Sequence, residues 1–161
     1  MFLFLFLIIV GAASIISIVG YSLHYGISPM PSSKKCCDII VSQAEGKVAE
    51  LGCGFGGLAK KIQKKGCDIV AFEISPIPYF VAKVRGVPVK RRDFFKEDLS
   101  SYDTIICYLY PGAMKKLATM LKPNTLIITN TFALPGWEKT KVFVVNDLYQ
   151  TEVICYKNPI N

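Results

Sequence analysis

Val48-Ala49-Glu50-Leu51-Gly52-Cys53-Gly54-Phe55-Gly56-Gly57 carries an apolar strand through one acid into glycines spaced for a tight strand-to-helix turn. Glycine at alternate positions permits positive φ and lets a ligand reach the backbone without meeting a Cβ, while the helix that follows presents unpaired N–H groups toward it. Such a turn holds a nucleotide-like cofactor. Gly52, Gly54 and Gly57 spell the dinucleotide fingerprint, whereas Gly52, Gly54 and Gly56 spell the version used by S-adenosylmethionine (SAM) enzymes. Glu50 separates the two. A carboxylate two residues before the first glycine suits a cofactor with a cationic amino acid end and repels a pyrophosphate, so the expected cofactor is SAM.

The elements around this turn alternate. Ser32 or Ser33 can cap a helix running to about Ala44 and ended by Gly46, after a Pro/Gly linker from Tyr25 to Pro31. Lys47 to Leu51 reads as a buried strand, Gly57 to Lys65 as a helix, and Asp68 to Ile74 as a second strand. Ser75 and Pro76 start a helix that Gly86 stops. Val87 to Arg91, Asp103 to Leu109 and Leu126 to Thr131 follow as strands, with a helix from Gly112 to Leu121 before the last. This alternation implies right-handed crossovers and a parallel sheet covered on both faces. Val142 to Val145 and Val153 to Tyr156 stand too close for an intervening helix and should form a terminal hairpin. The expected fold is α/β: a Rossmann-like class I methyltransferase sheet of parallel strands with a C-terminal antiparallel hairpin, preceded by one transmembrane helix.

That helix is read from Phe2 to Leu23, 22 residues without a charge in a chain of 161. At about 1.5 Å per residue they can cross roughly 30 Å of hydrocarbon. Ala12-Ala13-Ser14 resembles a signal-peptide cleavage site, but no Lys or Arg precedes the run, and it is longer than a usual signal core. Lys34 and Lys35 follow it, so positive charge favours a single-pass topology with the C-terminal domain on the cytoplasmic side, or the matrix side in a mitochondrion. The expected organisation is an anchor at 1–24, a linker and N-terminal capping helix at 25–46, the SAM-binding domain at 47–157 and a tail at 158–161.

The net charge of +7 gathers in Lys60, Lys61, Lys64, Lys65 and in Lys90, Arg91, Arg92, which suit a solvated helix face and a surface favourable to anionic lipid. No nucleic-acid module accompanies the charge, which argues against nucleic acid as a partner. The six cysteines show neither zinc-site nor C-x-x-C spacing, so no metal is expected and the thiols read as reduced and mainly buried. His24, the single histidine, lies at the membrane boundary and is given no catalytic role.

A second cofactor element falls where the first predicts it. Glu73 ends the second strand 21 residues after Gly52, where its oxygens can accept both ribose hydroxyls. Asp93 and Phe94 end the third strand, where an acid could accept the adenine amino group and an aromatic ring could cover the base. The alternative for each acid is an ordinary strand-end charge, a stronger alternative for Asp93 than for Glu73.

Pro29-Met30-Pro31-Ser32, Glu73, Arg92-Asp93-Phe94, Tyr110-Pro111 and Phe132-Ala133-Leu134-Pro135-Gly136-Trp137 resemble the protein lysine methyltransferases related to the ATP synthase c-subunit and adenine nucleotide translocase lysine methyltransferases. Archaeal protein lysine methyltransferases are similar. The resemblance covers about residues 25 to 157, and it adds Pro31 and Ser32 to the cofactor-binding set of Glu50, Gly52, Gly54, Gly56, Glu73, Asp93 and Phe94. Family members usually carry Asp where Glu50 stands, and Asp and Arg where Phe55 and Gly57 stand.

The implied chemistry is in-line attack of a lysine amine on the sulfonium methyl of SAM, for which the protein supplies positioning, water exclusion and a neutral amine. In open α/β sheets the reacting ligand lies beyond the carboxyl ends of the strands. This selects Tyr108 and Tyr110 after the fourth strand and Trp137 after the fifth as walls of a lysine channel. The alternative is that Tyr108 is core and Trp137 a packing anchor for the hairpin. Little chain remains for a lid, which favours a protein substrate over a metabolite. Two other readings stay open: methyl transfer to a lipid or quinone head group, and a SAM-binding domain without turnover.

Overall fold

The computed structural model describes residues 1–25, 32–147 and 149–159. Helix α1 spans Phe2–Tyr25, α2 Lys34–Gln43, α3 Gly57–Lys65, α4 Pro76–Val84 and α5 Pro111–Ala118. The strands are β1 Lys47–Leu51, β2 Asp68–Phe72, β3 Val89–Lys90, β4 Thr104–Cys107, β5 Leu126–Asn130, β6 Trp137–Val144 and β7 Glu152–Pro159. They form one seven-stranded sheet in the order β3-β2-β1-β4-β5-β7-β6. The first five are parallel, and β7 is antiparallel to both β5 and β6. This is the expected sheet with its terminal hairpin.

Both faces are covered because the central strands are apolar throughout rather than alternating. One core layer packs Ile40 of α2, Leu58 and Ile62 of α3 and Ala82 of α4 against Val48, Ile106 and Ile128. The other packs Met114 and Leu117 of α5, with Phe94, Tyr102 and Trp137, against Leu51, Phe72 and Ile127. Two lysines of the solvated face of α3 also bridge to α2 at the surface. Lys65 Nζ donates to the Val41 carbonyl at 2.8 Å, satisfying one of the carbonyls α2 leaves at its C-terminus, and Lys61 pairs with Asp38 at 2.7 Å.

Local chemistry sets the boundaries. Ser33 caps α2, its side chain accepting from the Cys36 N–H, and Gly46 follows the helix at φ 63°. β3 is shorter than expected because Pro88 has no N–H for the ladder, although its carbonyl accepts from Ala71. α5 starts at Pro111 and stops at Ala118, ahead of Pro123. β6 begins five residues earlier than the Val142 expected from sequence.

α1 is long and apolar enough to cross a membrane: Phe2–Tyr21 has a mean hydropathy of 2.9 and none of that span is buried. It contacts α4.

Candidate functional site

The turn after β1 has the geometry its glycines predict. Gly52, Gly54 and Gly56 all have positive φ, at 77°, 55° and 75°. They do different work. A Cβ on Gly54 would meet nothing within 4 Å, so the backbone there faces open space where a ligand can approach. A Cβ on Gly56 would stand 2.8 Å from Val87 Cγ2 and 3.0 Å from Ala82 Cβ, so this glycine lets the start of α3 close against α4.

Glu50, at the end of β1, is 6% exposed, and its Oε2 is buried with no hydrogen-bond partner. Burial, joined by the negative charge of Glu73, pushes its carboxyl up to about 8, against the lowering effect of the Ala59 N–H in the first turn of α3. A buried carboxylate oxygen without a donor, beside an open glycine, fits a cationic cofactor group. It is unfit for a phosphate.

Glu73 is also buried, and its two oxygens already accept backbone N–H groups, Oε2 from Gly54 at 2.9 Å and Oε1 from Ser75 at 2.7 Å. It therefore clamps the glycine turn and the start of α4 to the end of β2. Each carboxylate oxygen can accept a second hydrogen bond besides these. Asp93 acts as a cap: its Oδ1 accepts the Phe95 N–H at 3.0 Å at the start of a 3₁₀ turn, Phe94–Lys96. Phe94, expected to cover the base, is only 3% exposed and sits in the core; its half-buried neighbour Phe95, with Lys116 Nζ 4.1 Å from its ring centre, is the more open ring of the two. Ser32 Oγ accepts from Asn130 Nδ2 at 2.8 Å, which joins the segment before α2 to the end of β5. Pro31 lies outside the described residues.

Tyr108 and Tyr110 follow β4 beyond its carboxyl end, where they were expected. The ring beside them is Phe132, 6.0 Å from Tyr108 and 5.7 Å from Tyr110 between centroids. A three-residue turn puts it there: the Phe132 N–H returns to the Asn130 carbonyl at 2.8 Å around Thr131, whose φ is 69°. That conformation is strained in a β-branched residue, by about 1–3 kcal/mol, and survives only where the surroundings enforce it. Here the Thr131 N–H is held by the Glu152 carbonyl at 2.8 Å, and its hydroxyl donates to Asn130 Oδ1 at 3.1 Å.

Trp137 is not in this cluster. It pairs with Pro159 at one end of β7, whereas the carboxyl end of β5 pairs with Val153 near the other. Six residues of β7 separate these levels, roughly 20 Å. Between them the chain crosses the α5 side of the sheet, held by the Leu134 N–H donating to the Tyr156 hydroxyl at 3.1 Å. Trp137, 5% exposed, donates its indole N–H to Ala118 at the C-terminus of α5. It is a packing anchor at the edge away from the glycine turn. Sequence reading missed Asn130 and Phe132; a polar residue closing the apolar run Leu126-Ile127-Ile128-Thr129 was the available signal for the first. Among the described residues no cluster of His, Cys, Asp and Glu could hold a metal ion.

Residues 50–141 match the family model described as the ANTKMT methyltransferase domain. The chain belongs to that family. It is a SAM-dependent methyltransferase domain, and SAM is its cofactor. Solved structures similar to this ANTKMT-family domain include an RNA methyltransferase from Salinibacter ruber in complex with S-adenosyl-L-homocysteine, 23% identical with TM-score 0.69, covering 82% of this chain and 95% of that one. Magnesium protoporphyrin IX methyltransferase from Synechocystis with bound SAM is 17% identical with TM-score 0.61, covering 77% and 79%. Ribosomal protein L11 methylase from Lactobacillus delbrueckii subsp. bulgaricus is 13% identical with TM-score 0.63, covering 78% of each chain. At these identities the likeness is one of fold. Among curated proteins no relative is matched.

Proposed function

We propose that this domain methylates lysine side chains of a protein substrate at a membrane, with α1 as a single-pass anchor and the domain on the cytoplasmic side, or the matrix side in a mitochondrion. The observation that carries the substrate reading is the aromatic cluster of Tyr108, Tyr110 and Phe132 beyond the carboxyl ends of β4 and β5. Bound SAM supplies an electrophilic methyl group, so the chain's own work is to hold the cofactor and present an uncharged amine.

For the first task, Glu50 Oε2 would face the cofactor's ammonium, the open side of Gly54 would admit its backbone-proximal atoms, and Glu73 would accept from the ribose. Ser32, Gly52, Gly56 and Asp93 would shape the rest. For the second, a free lysine near pKa 10.4 is short of its neutral form at pH 7 by roughly 4 to 5 kcal/mol. Partial desolvation against three aromatic rings, next to a cationic cofactor, lowers that deficit while the ring faces still attract the side chain. The six residues 131–136 between β5 and β6 contain no helix that could roof a small substrate, which favours a macromolecule bringing its own surface.

Incubating the full chain and labelled SAM with membranes from cells that lack it tests this reading. Label fixed in protein and recovered as methylated lysine after hydrolysis supports it. Label found only in the lipid extract replaces it with methyl transfer to a lipid or quinone head group.

A further inference from the structure

Asn130 ends β5 as a buried amide, 3% exposed, directly after Leu126-Ile127-Ile128-Thr129. Burying an amide costs free energy unless its ends are hydrogen-bonded. Both ends are, and to different segments. Its Nδ2 donates to Ser32 Oγ at 2.8 Å, 98 positions earlier in the chain, and its Oδ1 accepts from the Thr131 hydroxyl at 3.1 Å. Its main-chain carbonyl accepts the Phe132 N–H at 2.8 Å, closing the turn in which Thr131 holds φ 69°. A β-branched residue keeps that conformation only while its surroundings enforce it, and the Asn130 amide is one of the groups that do so.

The two segments joined by this amide face different parts of the site. β1, β4 and β5 are neighbours, with Glu50 in register with Ile106 and Ile106 with Ile128. By alternation Glu50, Tyr108 and Asn130 lie on the face that α2 covers. Ser32 stands just before α2 on that face, its carbonyl accepting from Cys37 Sγ at 3.7 Å. Burial raises the Cys37 thiol, against the effect of Lys61, and Glu50 adds to the rise, so the start of α2 is within electrostatic reach of the Glu50 carboxylate. Ser32 is therefore on the side of Glu50, whereas Phe132 stands with Tyr108 and Tyr110.

We propose that Asn130 is a positioning residue for methyl transfer: the segment at Ser32 takes its place from the cofactor held against Glu50, and the Asn130 amide carries that placement to the turn that aims Phe132 at the acceptor. This rests on the reading of Phe132 as a wall of the acceptor site. Valine at 130 would keep the strand and lose both side-chain links. With the amide in place, the acceptor wall is set only when the cofactor side is.

The test follows hydrogen exchange at the Thr131 and Phe132 amides of the full chain in detergent micelles, with and without S-adenosyl-L-homocysteine, the demethylated form of SAM. Calorimetry of the same ligand runs beside it. The ligand should slow exchange at both amides by about fivefold or more in the native chain and leave them unchanged in Asn130→Ala, which still binds it. A purely structural role would speed exchange in the variant without removing the response to ligand, and that result overturns the proposal. So does a native chain that binds the ligand with no change at either amide. If Asn130→Ala fails to fold, Ser32→Ala, which cuts only the bond on the cofactor side, is read in the same way. Rates of label transfer from saturating SAM to membranes separate the proposal from the reading beneath it, since Asn130→Ala and Phe132→Ala should each fall by about tenfold or more. A loss in Phe132→Ala alone overturns the coupling and leaves the acceptor wall standing. Native rates in both overturn the wall and the coupling with it.

Discussion

Glu50 combines burial, an unpartnered oxygen and a carboxyl raised to about 8 from 4.5. The cofactor-free fold therefore binds a proton that the unfolded chain gives up near pH 4.5, and folding stability falls as pH rises from that value through about 8. The thermal midpoint of the cofactor-free protein should drop steadily over this window. Glu50→Gln should flatten that profile and stabilise the cofactor-free fold at pH 7 by on the order of 2–3 kcal/mol, while weakening SAM binding severely. A cationic cofactor reverses the preference for the neutral acid. SAM affinity should thus rise with pH toward 8, and calorimetry in buffers of different ionisation enthalpy should detect a proton released on binding. At the other end of the site, Phe132→Ala and Tyr110→Ala should each lower kcat/KM for methyl transfer by about tenfold or more with SAM affinity nearly unchanged, since the lost contacts act on the acceptor amine. Steady-state kinetics beside SAM titration separates the two effects.

The element most dependent on one residue is the junction of β1 and α3. Gly56→Ala would force a Cβ into Val87 and Ala82 at positive φ, and should lower stability by about 1–3 kcal/mol in denaturant unfolding. This junction was legible in the sequence, because a buried strand, an acid and alternate glycines are local signals that survive folding unchanged. For Trp137 the sequence left two roles open, a channel wall or a packing anchor, and could not choose between them. Sequence places it after β5, but the return of the chain to the opposite sheet edge depends on Tyr156 and Leu134 meeting across 22 positions. The early start of β6 was hidden for another reason: Glu138, Lys139, Thr140 and Lys141 of this edge strand are all exposed, so no apolar alternation marks it. Phe94 and Phe95 are adjacent and alike, and only packing against Phe72 and Leu99 shows which one is core.

At the scale of the whole molecule, α1 and the sheet are separable in kind: α1 is apolar with its membrane-length span unburied, and the sheet has its own two-sided core. Removing residues 1–24 should release a folded, soluble domain whose SAM affinity, measured by calorimetry, matches that of the full chain. The proposed activity joins these parts: an aromatic-walled site that would present the SAM methyl group to lysine at a membrane. Tandem mass spectrometry of membranes treated with the full chain and methyl-deuterated SAM, with Phe132→Ala as the parallel sample, tests it most directly. Deuterated methyl groups should appear on lysine ε-amines of membrane-associated protein and be sharply reduced in the variant. Deuterium on another residue type, or equal labelling by both proteins, would contradict it.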